Sequence, residues 1–355
     1  MFLGILPVQR TGNETKKVTF RFWSFPFFWS LLIISAYITS MACLVPLFQK
    51  YADRYFFTLA DRIGSYVMVI AGCGSVLTYV SSQTMTARKL PSLLEDLDAT
   101  WKGVEPLKES CSAAAHRRSF LFTVIGSTCF YLGSVSTCWS MVQGFSYLAP
   151  IACFVLCAVV EAGIVTLFLI ISLSCQVLKT ILEERARELR CAEKPLRRGE
   201  ALALYLDTHL RASRLCRRLS SAFHPTLFLS FLTDIAFTVL YAFFIISYAM
   251  KGYWLMAGTA LAKALFCDFL VFSLCRTADS LSSKAEEIIL ALTNDETLSL
   301  DRKSRNQVVH FEAQTRTHQV KLQASGYFTL DKALLTSVAS NMLTYLIVLL
   351  EFRVE

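Results

Sequence analysis

The stretch SGYFTLDKALLTSVASNMLTYLIVLLEF, residues 325–352, opens on turn formers and closes on an apolar run. Residues 334–352 are apolar enough, and close enough to the roughly 20 residues a helix needs, to cross a hydrocarbon core about 30 Å thick. Along that helix Ser337, Asn341, Thr344, Val348 and Glu351 follow one another at steps of 4, 3, 4 and 3, so they share a face, and four of the five are polar. A polar stripe on a membrane helix must meet a partner helix or water. Two arrangements satisfy it. One is a hydrogen-bonded seam inside a single protomer. The other is a water-filled conduit ringed by symmetric copies, in which the Glu351 carboxylates suit a cation path. Glu351 also lies near the helix end, where a terminal charge facing water is the plainer reading. Ahead of the span, Gly326 is expected to end a preceding helix, Thr329 to cap the next and Asp331 to occupy its first turn.

Working outward, the same apolar character recurs. The 355 residues are 54% hydrophobic and only 17% charged, against about 45–50% and 25% in soluble domains. Seven stretches are long enough to span: Phe27–Phe48, Ile63–Val80, Phe120–Val142, Leu148–Leu178, Leu227–Ala249, Tyr253–Cys275 and Leu334–Phe352. The predicted fold is therefore an all-α membrane protein, one seven-helix domain over 1–355. It divides into four spans (27–178), a helical loop (179–226), spans five and six (227–275), an anchor segment (276–333) and the last span (334–352). Of the 35 Lys and Arg, 29 lie on one side of these spans and 5 on the other, with Lys263 inside the sixth. The bias places the N-terminus in the cytoplasm and the C-terminus outside. It also reads the basic loops as orientation signals and not as a nucleic-acid footprint. The sequon Asn13-Glu14-Thr15 then faces the cytoplasm and is expected to stay unmodified. The start, MFLGILPVQR, lacks the charge order of a signal peptide.

Loops on the outer side are short, and Lys251–Gly252 is little more than a turn. The inner ones have helix-forming composition. KTILEERARELR (179–190) places Glu183 and Arg187 to pair at i, i+4, and 199–223, 278–292 and 306–322 are amphipathic. They predict a helical bundle beneath the membrane. Most of the 12 cysteines lie inside apolar stretches, without Cys-x-x-Cys spacing, so no disulfide framework, metal site or other cofactor is expected. The five histidines all fall in loop segments with no nucleophile motif, which argues against an enzyme.

Residues 325–352 closely resemble the C-terminal signature of arthropod gustatory receptors, the seven-transmembrane chemoreceptor family related to insect odorant receptors. That signature reads roughly Gly-Phe/Tyr-Phe-x-Leu-Asp, then Thr-Tyr, five mostly apolar residues and Gln-Phe. Gly326, Tyr327, Phe328, Leu330, Asp331, Thr344, Tyr345 and Phe352 match it, while Glu351 stands where the family usually has Gln. The resemblance implies a homo- or heterotetrameric, ligand-gated, nonselective channel for Na, K and Ca ions in the plasma membrane of gustatory neurons. Each subunit would give its last helix to a central pore, with Glu351 and Phe352 at the gate. A small-molecule tastant would bind in the outer half of the helical bundle. An acidic gate residue is expected to favour calcium or proton sensitivity. A metabotropic receptor and a secondary transporter are the alternatives; the inside N-terminus opposes the first, and the lack of an internal repeat opposes the second.

Aromatic and hydrogen-bonding residues in the outer half of the spans are the pocket candidates: Ser65, Tyr66, Tyr131, Trp139, Gln143, Tyr241, Tyr248 and Trp254. Trp and Tyr at this depth also serve as interfacial anchors. Glu161, Asp234, Lys263 and Asp268 are ionisable residues within spans, where each charge costs about 2.5–3.5 kcal/mol. A Lys263–Asp234 or Lys263–Glu161 pair is the expected compensation, in a structural or a ligand-binding role.

Overall fold

The computed structural model describes residues 8–11, 17–20, 28, 32, 35, 59–82, 86–102, 148–191, 195–294, 306, 308–309, 311, 313, 315, 319–324 and 326–354. Their helices are α1 (Leu59–Ser81), α2 (Ala87–Lys102), α3 (Leu148–Cys191), α4 (Pro195–Met250), α5 (Trp254–Asn294) and α6 (Lys332–Val354). Two small antiparallel ribbons join them, β1 (Val8–Thr11) with β2 (Lys17–Phe20) and β3 (Gln323–Ala324) with β4 (Phe328–Thr329). The expected second, fourth, fifth, sixth and seventh spans thus fall in α1, α3, α4, α5 and α6. The third lies outside the described residues, as does nearly all of the first, in which Phe28, Leu32 and Ser35 are helical.

Length separates two kinds of helix. α1 and α6 have 23 residues each, about 35 Å at 1.5 Å per residue, which matches one hydrocarbon core. α3, α4 and α5 have 44, 56 and 41 residues, about 66, 84 and 62 Å, so half of each must continue beyond the membrane. The loop expected between spans four and five is accordingly not a separate helix. Residues 199–223 and the fifth span form one continuous α4, through Pro225.

Proline in a helix interior removes one hydrogen bond and leaves the carbonyl four residues earlier without its donor. That carbonyl belongs to Ser221, and Lys89 of α2 supplies the donor, with Nζ 3.0 Å from Ser221 O and 3.1 Å from Ser221 Oγ. Thr86 adds a bond to Ala222 O at 3.0 Å and another to Thr226 Oγ1 at 2.9 Å. A proline inside a helix ordinarily kinks or breaks it, but here its neighbours repair the ladder. At the other end of α4 the turn is as short as expected. Tyr253 N bonds Tyr248 O at 2.9 Å and Gly252 N bonds Ala249 O at 3.1 Å, with Gly252 at φ 78°. These are the two bonds of a Schellman motif, which needs a left-handed residue where glycine stands.

α4 is the hub: it packs against α1, α2, α3, α5 and α6. The larger core lies among the extensions, where Leu178, Leu182 and Leu189 of α3 meet Leu202, Tyr205, Leu219 and Phe223 of α4 and Leu274, Leu281 and Ile288 of α5. This is the expected bundle, and the physical reason is solvent: apolar faces in water must be buried, whereas lipid tolerates them. The membrane half holds a smaller core of Ala71, Leu240, Phe243 and Phe244. Along α3 the expected Glu183–Arg187 pair does not form. Glu183 meets Lys179 at i, i+4 and 3.8 Å, and Arg187 meets Glu184 at i, i+3 and 3.3 Å, so neighbours one turn away compete for both groups.

Candidate functional site

The approach to α6 is a tight hairpin. Gln323 pairs with Thr329 and Ala324 with Phe328, and Tyr327 N closes the turn on Ala324 O at 3.0 Å. Gly326 sits in that turn at φ 79°, a conformation that costs a residue with a Cβ. It therefore shapes a hairpin instead of ending a helix. Tyr327 and Phe328 lean on α4, with ring centroids 5.3 Å from Phe228 and 5.3 Å from Phe231 respectively. Asp331, not Thr329, is the N-cap of α6: its Oδ1 accepts from Leu334 N at 2.8 Å, while Thr329 Oγ1 donates to its Oδ2 at 2.7 Å. These donors, the Leu334 amide foremost, hold the Asp331 carboxyl below its ordinary value. Two ion pairs tie the same region to α5, Lys332–Asp279 at 2.9 Å and Lys321–Glu286 at 3.1 Å. The signature residues Gly326, Tyr327, Phe328, Leu330 and Asp331 thus build the junction where α6 begins.

Along α6 the two faces differ. Leu335, Val338, Met342, Leu346 and Leu350 are half-buried and turn towards α1, α4 and α5. Ser337, Asn341, Thr344, Val348 and Glu351 are all exposed. Thr344 donates back to Ser340 O within its own helix at 3.1 Å. Ser337, Asn341 and Glu351 bond no other helix among the described residues. Among the described residues the stripe thus forms no hydrogen-bonded seam. Tyr345, in the signature, is exposed at 61%; Phe352 lies in the helix, with its side chain outside the described set.

Comparison with known proteins agrees with this architecture. The family model described as 7tm Chemosensory receptor matches residues 1–355. The chain belongs to that family of seven-transmembrane chemosensory receptors. Among solved structures it is similar to the insect olfactory receptor OR5 from Machilis hrabei, at 16% identity and a TM-score of 0.66, over 92% of this chain and 90% of that one. It is also similar to OR5 in complex with eugenol, again at 16% identity and TM-score 0.66, over 97% and 93% of the two chains. At that identity the likeness is one of fold. No curated protein matches.

In this receptor the expected ligand residues are spread over several helices. Tyr241 stacks on Phe237 at 5.7 Å and Tyr248 on Phe244 at 5.8 Å, both within the membrane half of α4. Trp254 opens α5 and is 72% exposed. Lys263 is half-buried on α5. Ser65 and Tyr66 lie in α1 and Glu161 in α3, with their side chains outside the described set, and Tyr131, Trp139 and Gln143 fall outside the described residues. One intramembrane contact escaped the sequence: Thr238 Oγ1 donates to Asp268 Oδ1 at 2.9 Å, joining α4 to α5. Its only signal was an ionisable residue inside a span. Among the described residues no group of three or more His, Cys, Asp or Glu is placed to hold a metal.

The small membrane core links the two regions. Tyr248 of α4 and Leu346 and Leu350 of α6 all pack on Leu240, Phe243 and Phe244. Leu346 and Leu350 flank Val348 along α6, so Tyr248 and the helix that carries the polar stripe share one set of packed side chains.

Proposed function

We propose that this receptor is a gustatory, tastant-gated, nonselective cation channel of the plasma membrane, built as a homo- or heterotetramer around α6, with its N-terminus in the cytoplasm. The observation that carries it is the stripe of Ser337, Asn341, Thr344, Val348 and Glu351, exposed and without a bond to another helix among the described residues. Polar side chains at membrane depth need water or a second copy, and copies around an axis supply both. The eugenol complex of OR5 is a small-molecule precedent in the same fold. A ligand among the outer aromatics, with Tyr241 and Tyr248 the best described, would shift α4 against Leu346 and Leu350 and so move the gate residues on the far side of α6. Packed cores pass such shifts on because they have discrete arrangements.

Expression in oocytes with a tastant panel and no added G protein tests the reading. Ligand-evoked current is expected, and thiol reagents are expected to block it in Asn341→Cys and Thr344→Cys but not in Leu343→Cys. Current that requires a G protein, or block at Leu343 alone, overturns it. Glu351→Gln is expected to lower relative calcium permeability and flatten the pH response; unchanged values remove the acidic gate.

A further inference from the structure

Away from the polar stripe, α2 and the extension of α4 border an open cleft of about 360 Å³, lined by half-buried Asp96 and Thr100 of α2 and by half-buried Asp207 and exposed Arg211, Arg214 and Arg218 of α4, among others. That volume lies within the range of small-molecule sites, roughly 300–1,000 Å³. The spacing explains why three arginines converge. Positions 211, 214 and 218 fall within an arc of roughly 60° on a helix of 3.6 residues per turn. Arg217 lies roughly 100° from Arg218 on the same helix and is absent from the lining. α2 runs antiparallel to α4, so contacts from Thr86 to Thr226 and from Lys89 to Ser221 continue to the Asp96–Arg218 pair.

The charges are arranged unequally. Asp207 holds Arg211 at 2.7 Å and Asp96 holds Arg218, while Arg214 has no ion-pair partner among the described residues. The lining thus carries three positive and two negative groups. Each guanidinium has five donors, of which one carboxylate occupies at most part, so the aspartates position Arg211 and Arg218 without exhausting them. The cleft also lies close to the membrane. Arg218 is eight residues, roughly 12 Å of helix, from Thr226, where the apolar half of α4 begins.

We propose that this cleft binds an anion carrying clustered phosphate monoesters, with Arg214 as its principal contact and Arg211 and Arg218 as pre-positioned supports. The same chemistry is presented by a phosphoinositide head group in the adjacent leaflet and by a soluble inositol phosphate. The site is independent of the channel reading, but it rests on the proposed orientation, which puts the helix extensions on the cytoplasmic side where such phosphates are found.

The test uses the full chain in nanodiscs, which leave both faces open. One arm titrates inositol trisphosphate; the other compares the unfolding midpoint in phosphatidylinositol bisphosphate discs with that in phosphatidylserine discs of equal surface charge. Saturable binding in the first arm without a raised midpoint in the second identifies a soluble ligand, and a raised midpoint in the second identifies a lipid; either supports the site. Arg214→Gln is expected to weaken the effective probe roughly tenfold or more, and Arg211→Gln to weaken it less. Arg217→Gln, with the same change in net charge, is expected to stay within about twofold. Absence of binding by both probes, or equal weakening by Arg214→Gln and Arg217→Gln, overturns the proposal.

Discussion

At the scale of single residues, two positions control how helices start and how closely they meet. Asp331 caps α6 through Leu334 N. Asp331→Ala is expected to lower stability by about 0.5–2 kcal/mol, read from the thermal midpoint in detergent. Because the folded carboxyl is held below 3.8, its contribution is present above that value and is lost as pH falls through the lower folded value. The variant should show a shallower loss below that pH than the parent. Gly74 sits against α4, where an added Cβ would lie 2.7 Å from Thr233 Oγ1, an atom already bonded to Leu229 O at 2.8 Å. Gly74→Val is expected to cost about 1–3 kcal/mol, and pairing Gly74→Ala with Thr233→Ala to recover most of the smaller loss of Gly74→Ala alone. Full surface expression and an unchanged midpoint for Gly74→Val would show that α1 and α4 can part at no cost.

At the scale of elements, α4 crosses from membrane half to extension at Pro225, and Lys89 fills the vacancy this makes. Lys89→Met keeps most of the apolar stem and removes the donor. Faster amide exchange around 221–226 is expected, with a stability loss of about 1 kcal/mol, small because water reaches this exposed site. Pro225→Ala restores the backbone N–H, so in that background Lys89→Met should have much less effect. Additive losses in the double variant would separate the lysine from the proline. The β3–β4 hairpin is an element that the residues did not announce. Its strands are two residues each, too short for any periodic signal, and a positive-φ glycine serves helix ends and turns alike.

At the scale of the whole molecule, the extension bundle carries most of the buried core and contains a polar liability. His209 is 1% exposed, its ring lies edge-on to Phe311 with centroids 5.1 Å apart, and neither nitrogen has a hydrogen-bond partner among the described residues. Burial pulls its pKa down from 6.5 to about 4. Between those values the unfolded chain binds the proton and the folded chain does not, so stability falls as pH drops from 6.5 towards 4 and levels off below. His209→Leu is expected to flatten that slope in unfolding experiments at graded pH. An equally steep slope in the variant would assign it to other groups.

Much of this receptor was legible in its residues. The apolar stretches, their lengths and the 4, 3, 4, 3 spacing on α6 depend on local composition and helical geometry, and the described helices follow them. The C-terminal signature likewise pointed to the chemosensory receptor family. Other features required the tertiary fold. Thr329 and Asp331 are both capping types two residues apart, and only the path of the hairpin decides which carboxylate or hydroxyl meets Leu334 N. Pro225 stays inside a helix because a lysine 136 positions earlier in the chain reaches its orphaned carbonyl. Whether the α6 stripe was sealed or open depended on which face its neighbours covered. Local sequence determines what a helix can present, but the packing of distant segments determines which of those groups are left for water, ions and ligands.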